Sequence, residues 1–399
     1  MKLAIARQAA YGALLAVDRG KWSAEALGEK SMHLDSRDAG LASDIVFGTL
    51  RHRGELDFLI SACSSRPVDQ LDAEVKIALE MAIYQLRFLD RVPDHAVVND
   101  AVELVRRAGK DKSAPFVNAV LRQSLREPAE AEATLSTPPW LLARWTAHYG
   151  SELALTIARA SLVTPRRYIR VGTSEPPAGA EATEIPGCWI LSSGDPGPFR
   201  FQDISSQAVV PLLELEPGQT FLDLCASPGN KTSQALESGV KAIASDLHES
   251  RARMLLALGI PVVALDASKP LPFAAKFDRI LVDAPCSGTG TLARNPEIKW
   301  RLKNDDIFDL RRRQKAILRN ALEMVAPGGL LVYSTCSLER EENEDVVEAC
   351  GATVVKTMQR IPGRDAGDGF FAAVLKPAPV GRGPCPADDA PVVLSGFKP

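Results

Sequence analysis

The second half of the chain repeats one pattern: an apolar run of strand type, a loop rich in Gly, Pro, Ser or Cys, and then a helical stretch. Thr220–Leu224 leads into Cys225-Ala226-Ser227-Pro228-Gly229-Asn230-Lys231-Thr232. Phe277–Val282 leads into Asp283-Ala284-Pro285-Cys286-Ser287-Gly288-Thr289-Gly290, and Leu330–Tyr333 into Ser334-Thr335-Cys336-Ser337. Alternation of strand and helix with right-handed crossovers dictates a doubly wound α/β sandwich. Residues just past the carboxyl ends of its strands share one crevice, where ligands bind. Two thiols, an acid and a Gly-containing loop are therefore expected to face one another at a reaction site.

Thiols suit one kind of chemistry there. A thiolate adds readily to a soft, electron-poor carbon, with a reactivity set by its pKa. Carbon 5 of a pyrimidine is a poor nucleophile until a thiolate has added to carbon 6, which makes it enamine-like toward an electrophilic methyl group. The proton on carbon 5 must then leave before the thiol is expelled. One cysteine can start this sequence, and a second group is useful for finishing it. An acid near the ring nitrogen would help the first addition by delivering a proton or a hydrogen bond.

The cofactor side reads independently. Thr220–Leu224, the Pro/Gly turn and Lys231–Leu236 form the strand, tight turn and helix that open a nucleotide-binding βαβ unit. No Walker pattern is present, so a nucleoside triphosphate is not the expected ligand. The strand Lys241–Ser245 ends at Asp246, roughly 20 residues beyond the loop, where Rossmann-type folds place the carboxylate that accepts hydrogen bonds from ribose hydroxyls. The strand Pro261–Leu265 ends at Asp266, which suits an adenine amino group. Taken alone, either acid also reads as a solvated strand end.

Together, Asp223–Thr232, Asp283–Gly290 and Ser334–Ser337 resemble the motifs of RNA cytosine-5 methyltransferases, and most closely the bacterial 16S rRNA methyltransferases of the RsmB/Sun group. That resemblance covers nearly the whole chain and implies S-adenosylmethionine as cofactor. It implies Cys336 as the nucleophile and Cys286 as the group that assists release of the product, with Asp283 and Lys231 beside them. Cofactor contacts are expected from Cys225, Ala226, Ser227, Pro228, Gly229, Asn230, Lys231, Asp246, Asp266 and Asp283, with only the backbone of Cys225 near the ligand. The family loop reads Ala-Pro-Gly-Gly-Lys, and this chain has Asn230 at the second glycine. Asn tolerates positive φ better than most residues, so the loop is expected to keep its path.

The fold class expected is multidomain. Residues 1–130 form an all-α region resembling the NusB-like RNA-binding domain, through Val92–Asn99 and Phe116–Arg122. Helices are predicted at Leu3–Val17, Leu41–Leu50, Val75–Leu89, Ala96–Val105 and Phe116–Leu125, with Asp94 and Ser113 as N-caps. Residues 138–203 start with a helical stretch at Trp140–Leu162 and then turn irregular and Gly/Pro-rich; the resemblance implies that they form a small α+β subdomain that helps bind RNA. Residues 204–378 form a class I (Rossmann-like) methyltransferase domain: helix Ser206–Leu213, five strand runs, helices Ile307–Val325 and Glu342–Cys350, then runs Thr353–Thr357 and Phe370–Leu375. The resemblance implies that the last strand is antiparallel. Residues 379–399 are a Pro-rich tail with a strand-like run at Pro391–Ser395.

With 399 residues the chain can bury a large core. Seven cysteines without CxxC pairing argue for a reducing, cytoplasmic compartment and against a disulfide framework or metal site. Cys63, Cys188, Cys350 and Cys385 read as small buried hydrophobes. No apolar stretch approaches a membrane span. The net charge of −3 argues mildly against a nucleic-acid ligand, but Arg294–Arg319 carries nine cations against four acids. That run, Arg294, Lys299, Arg301, Lys303, Arg311, Arg312, Arg313, Lys315 and Arg319, favours RNA contact, as does Arg166-Arg167-Tyr168-Ile169-Arg170; the other reading is a solvated face. The expected partner is RNA, by family analogy 16S rRNA, with no membrane and no obligate protein partner. A tRNA substrate, or an idle RNA-binding assembly protein on the same fold, are the competing readings.

Overall fold

Apolar residues three and four positions apart give the N-terminal region its helices. A computed structural model describes residues 3–377 except 65, 91, 127 and 128. It places there α1 (Ile5–Asp18), α2 (Ser23–Ser31), α3 (Ser36–Cys63), α4 (Ala73–Phe88), α5 (Asp94–Arg107) and α6 (Ala114–Arg126). Their inward faces form one cluster running from Leu3 to Leu121. Sequence periodicity misses α2, which is short, polar and interrupted by Gly28, and buries only Ser23, Ala26 and Leu27. It also underestimates α3, which runs 28 residues from an Asp35 cap that accepts from Asp38 N at 2.8 Å. Gly48 lets α3 meet α4 closely: a Cβ there would fall 1.9 Å from Cζ of Tyr84. Asp94 and Ser113 are not N-caps. Pro93 precedes α5 and Asp94 is its first helical residue, while Ser113 closes a 3-10 turn that runs straight into α6.

The helical stretch expected at Trp140–Leu162 is two helices, α7 (Pro139–Tyr149) and α8 (Ser151–Ala160). Gly150 parts them at φ 83°, a conformation that favours glycine. They pack Leu141, Trp145, Ile157 and Ala158 against Leu292, Ile298, Leu338 and Ile361 of the C-terminal region. An antiparallel sheet follows, β1 (Tyr168–Arg170), β2 (Glu181–Ala182), β3 (Cys188–Ile190) and β4 (Arg200–Phe201), in the order β2-β3-β1-β4.

The remainder comprises α9 (Ile204–Gln207), β5 (Thr220–Asp223), α10 (Asn230–Leu236), β6 (Lys241–Asp246), α11 (Glu249–Leu255), β7 (Val262–Ala264), β8 (Phe277–Asp283), α12 (Ile298–Arg301), α13 (Asn304–Glu323), β9 (Val325–Thr335), α14 (Glu344–Ala349), β10 (Thr353–Arg360) and β11 (Phe370–Lys376). The helix expected at Ser206–Leu213 is replaced by α9 and a 3-10 turn, Val210–Leu213, because Pro211 has no N–H to continue an α-helix. The seven strands lie in the order β10-β11-β9-β8-β5-β6-β7. Five are parallel, and β11 runs antiparallel between β9 and β10. Both faces are covered, which is why the strands read as unbroken apolar runs. Leu222, Ile280, Val282, Leu331 and Tyr333 pack on one face; Phe221, Leu281, Leu330 and Val332 pack on the other. The run Pro391–Ser395 and Cys385 lie outside the described residues.

The helical bundle docks on the segment between β8 and α13. Lys299 Nζ donates to Arg51 O at 2.8 Å, Trp300 Nε1 to Leu50 O at 3.0 Å, and Arg301 Nη2 to Val17 O at 2.5 Å. In return Arg51 Nε donates to Ala293 O at 2.7 Å, and Ser23 N and Oγ donate to Glu297 Oε1 at 2.9 and 2.8 Å. Three cations of the expected RNA footprint are therefore internal. Lys299 and Arg301 satisfy bundle carbonyls, and Arg294 bridges Asp203 and Asp368 at 2.7 Å each.

Candidate active site

The chain leaves β5 toward β6 and β7 on one side, and returns to β8 and β9 on the other. The carboxyl ends of β5 and β8 flank this reversal, where an open parallel sheet leaves its crevice. A pocket of about 350 Å³ opens there, walled by Cys225, Ser227, Asp246, Asp266, Asp283, Cys286 and Cys336 among others. Of the expected cofactor residues, Ala226, Pro228, Gly229, Asn230 and Lys231 stand behind this wall. Lys231 reaches it through Asp283, whose Oδ2 accepts from Nζ at 2.7 Å. The other oxygen of Asp283 accepts from Ser334 Oγ at 2.8 Å, tying β8 to β9.

Asn230 does not supply the positive φ of the loop. Positive φ falls on Gly229, at 101°, and Asn230 is the first residue of α10. Its amide instead donates to Phe201 O at 3.2 Å, fastening the loop to β4. Beneath the loop Asp223 is buried, and burial pushes its carboxyl up to about 7. Its Oδ2 accepts from Thr232 Oγ1 at 2.7 Å, while Oδ1 has no partner among the described residues. Burial likewise pushes the Cys225 thiol up.

The donor set of the pocket fits S-adenosylmethionine. Asp246 spends Oδ1 on His248 N at 3.1 Å, and its Oδ2 lies 3.9 Å from Arg251. Asp266 spends Oδ1 on Ser268, and its Oδ2 lies 3.7 Å from Lys269. Among the described residues each carboxylate thus keeps one oxygen free of hydrogen bonds at or just past a parallel strand end, an acceptor set that suits hydroxyl and amino donors. Leu247, Leu265 and Ile317 supply apolar walls.

The two motif cysteines meet. Cys286 Sγ and Cys336 Sγ are 3.3 Å apart. The hydrogen bond to Cys336, followed by burial, pushes the Cys286 thiol well above the ordinary cysteine range. Sequence reading misses what holds them together. Each cysteine is followed by a serine, and both serines converge on the buried carboxylate of Glu342. Glu342 accepts from Ser287 N at 2.9 Å, from Ser287 Oγ, from Ser337 Oγ at 2.5 Å and from Gln314 Nε2 at 2.9 Å. Asn343 beside it accepts from Thr335 Oγ1 and donates to Ser337 O at 2.9 Å. The only local signal is the repeated Cys-Ser pair.

Cys188 is buried and pushed by burial up to about 11, while Cys63 and Cys350 are half-buried against the cores. Among the described residues no group of three His, Cys, Asp or Glu is placed to hold a metal ion, and no helix is long and apolar enough to cross a membrane.

Known proteins share both regions of the chain. Residues 210–354 match the family described as 16S rRNA methyltransferase RsmB/F, and residues 4–126 match the NusB family. A probable ribosomal RNA small subunit methyltransferase B of Bacillus subtilis is 32% identical over 367 residues, 80% of this chain and 81% of its own length. The ribosomal RNA small subunit methyltransferase B of Citrobacter koseri is 31% identical over 410 residues, 90% of this chain and 95% of its own length. The crystal structure of PH0851 superposes with a TM-score of 0.78 at 22% identity, over 94% of this chain and 99% of that one, and so shares the fold. The crevice, its two carboxylates and its paired thiols therefore sit in an S-adenosylmethionine-dependent methyltransferase, and the chain belongs to the RsmB/F family of 16S rRNA methyltransferases.

Proposed function

We propose that this chain methylates carbon 5 of a cytosine in 16S rRNA through a covalent cysteine–pyrimidine adduct. The observation that carries the reading is the pair of thiols 3.3 Å apart on the wall of the cofactor pocket. A methylation at oxygen or nitrogen needs no thiol; a methylation at carbon 5 needs one to add and a second group to let it leave.

Cys336 Sγ adds to carbon 6, forming a carbon–sulfur bond and moving charge toward the ring nitrogen. Lys231 and Asp283, paired at 2.7 Å, are assigned to that polar edge of the ring, where a proton held between them stabilises the developing charge. Asp246 and Asp266 would hold S-adenosylmethionine, which would supply the electrophilic methyl group taken up at carbon 5. Cys286 Sγ then takes up the carbon 5 proton as base, the electron pair of that C–H bond restores the ring double bond, and the carbon–sulfur bond breaks so that Cys336 departs as a thiolate. The reading requires RNA and no further protein, and free thiols suit the reducing cytoplasm.

The test is the covalent band. Cys336→Ala is expected to give neither methylated RNA nor a denaturant-resistant protein–RNA complex. Cys286→Ala is expected to accumulate that complex when S-adenosylmethionine is present, and Asp283→Ala to suppress it. A band with Cys336→Ala and none with Cys286→Ala would reverse the two roles.

A further inference from the structure

A second cavity, of about 650 Å³, lies behind the thiol site, between the end of α8, the strand β1, the loop after Cys286 and the turn before β11. It is nearly twice the volume of the cofactor pocket and falls within the range of small-ligand sites. Neither the cofactor nor the thiol chemistry makes use of it. Its wall is fastened to the nucleophile's loop: Gly290 lines the cavity, donates from N to Cys336 O at 2.9 Å, and accepts from Gly369 N at 2.7 Å. A Cβ at Gly290 would fall 2.3 Å from Gly369 O, so this backbone packs without slack. One residue of backbone therefore separates the cavity from Cys336.

Its lining is mixed in a way that suits a nucleotide. Ile157, Leu292 and Pro362 give apolar surface, Val163 stands exposed at its edge, and Asp365 offers a carboxylate. Arg159 and Arg166 stand exposed on its rim, and neither guanidinium makes a hydrogen bond or ion pair among the described residues. Arg294, by contrast, is locked between Asp203 and Asp368 and serves as a wall. Two cations without partners beside an apolar hollow fit a phosphate and an unstacked base, the form in which single-stranded RNA is read.

We propose that this cavity binds the unpaired nucleotide adjacent to the target cytosine on the same RNA strand, with its phosphate at Arg159 and Arg166. The proposal rests on the cytosine-5 reading of the thiol site. With the cytosine at Cys336, the neighbouring nucleotide has the Gly290 backbone to cross and an open hollow beyond it. The cavity thereby sets which nucleotide may flank the target.

The full-length protein with S-adenosylmethionine is tested on a 16S rRNA fragment containing the cytosine it methylates. In Arg159→Glu/Arg166→Glu, RNA affinity should fall at least tenfold. The salt dependence should flatten by about 0.7 for each phosphate that is no longer neutralised, the slope for single strands, while cofactor affinity by calorimetry stays unchanged. Unaltered RNA affinity and salt slope would overturn the proposal. A photoreactive 4-thiouridine placed next to the target should crosslink to residues 156–168, 289–294 or 362–368, and crosslinks confined to other segments would overturn it too. If the wild-type protein methylates no cytosine of this RNA, the thiol-site reading fails and takes this assignment with it. If it methylates normally while the crosslinks fall elsewhere, only the cavity assignment fails.

Discussion

Glu342 is the joint between the two cysteine loops, and its removal separates a structural from an electrostatic contribution. In Glu342→Ala four buried hydrogen bonds to one carboxylate disappear. The loss is smaller than four full bonds. Ser287 Oγ and Ser337 Oγ lie 3.1 Å apart and can turn toward each other, and Gln314 Nε2 keeps Pro285 O at 2.9 Å. What remains is one stranded amide at Ser287 and a cavity the size of the deleted side chain. Together these should destabilise the protein by about 3–5 kcal/mol. Glu342→Gln keeps the shape: its carbonyl can still take Ser287 N and Gln314 Nε2, and its amide can donate to the two hydroxyls, so the cost should be about 1 kcal/mol. The charge is nevertheless gone, and that charge is one of the influences raising the Cys286 thiol. Alkylation of Cys286, followed by mass spectrometry, should therefore set in at lower pH in the Gln variant than in wild type. Urea unfolding measures the stabilities. Equal stabilities of the Ala and Gln variants, or an unmoved alkylation profile, would refute the reasoning.

Two further outcomes follow from single contacts. Asp246→Ala should weaken S-adenosylmethionine binding by about 1.5–3 kcal/mol, the range for hydrogen bonds to a charged acceptor, and leave RNA binding intact; unchanged calorimetric affinity would remove the ribose assignment. Burial holds Lys299 down to about 7, whereas an unfolded lysine titrates at about 10.4, so between those values the unfolded chain binds one proton more and stability rises with pH. Below about 7 the folded chain must carry the buried charge and that gain is absent. The difference in urea midpoint between wild type and Lys299→Met should accordingly change from pH 7 to pH 9 in favour of wild type, and a constant difference would show that Lys299 does not titrate there.

The sheet is legible in the sequence because burial on both faces leaves a continuous apolar signature, as at Ile280–Val282 and Leu330–Tyr333. Strand ends are legible too, since Asp246, Asp283 and Thr335 close β6, β8 and β9. Helix α2 is not, because its stability comes from Ala26 and Leu27 meeting the rest of the bundle rather than from its own periodicity. Glu342 is not, because Ser287 lies 55 residues away in sequence and only the parallel pairing of β8 with β9 brings them together. The family pattern points to Asn230 as the residue needing conformational tolerance, but the positive φ falls one position earlier, on the glycine.

The basic run shows where linear reading fails for a physical reason. Charge density along a chain predicts an electrostatic footprint only if the cations lack internal partners. From Arg294 to Arg301 they have them: carboxylates at Asp203 and Asp368 for the first, backbone carbonyls at Arg51 and Val17 for Lys299 and Arg301. Arg51 lies in the middle of α3, whereas Val17 lies at a helix end, where carbonyls lack intrahelical donors and a long cationic side chain from a docking segment is well suited to satisfy them. Val17 lies in the last turn of α1, so Arg301 both caps that helix and fastens the bundle to the catalytic sheet. Further along, Arg313 lines the cofactor pocket, and Arg312 pairs with Asp309 on an exposed turn. In the other cluster Arg170 is taken by Glu237 and Arg167 lies 4.8 Å over the Phe201 ring. Among the described residues the Arg166 guanidinium has no hydrogen bond or ion pair, and it borders the larger cavity. Specific RNA contact is therefore better sought where an unpartnered cation adjoins a hollow next to the thiols than where cations are merely dense in sequence.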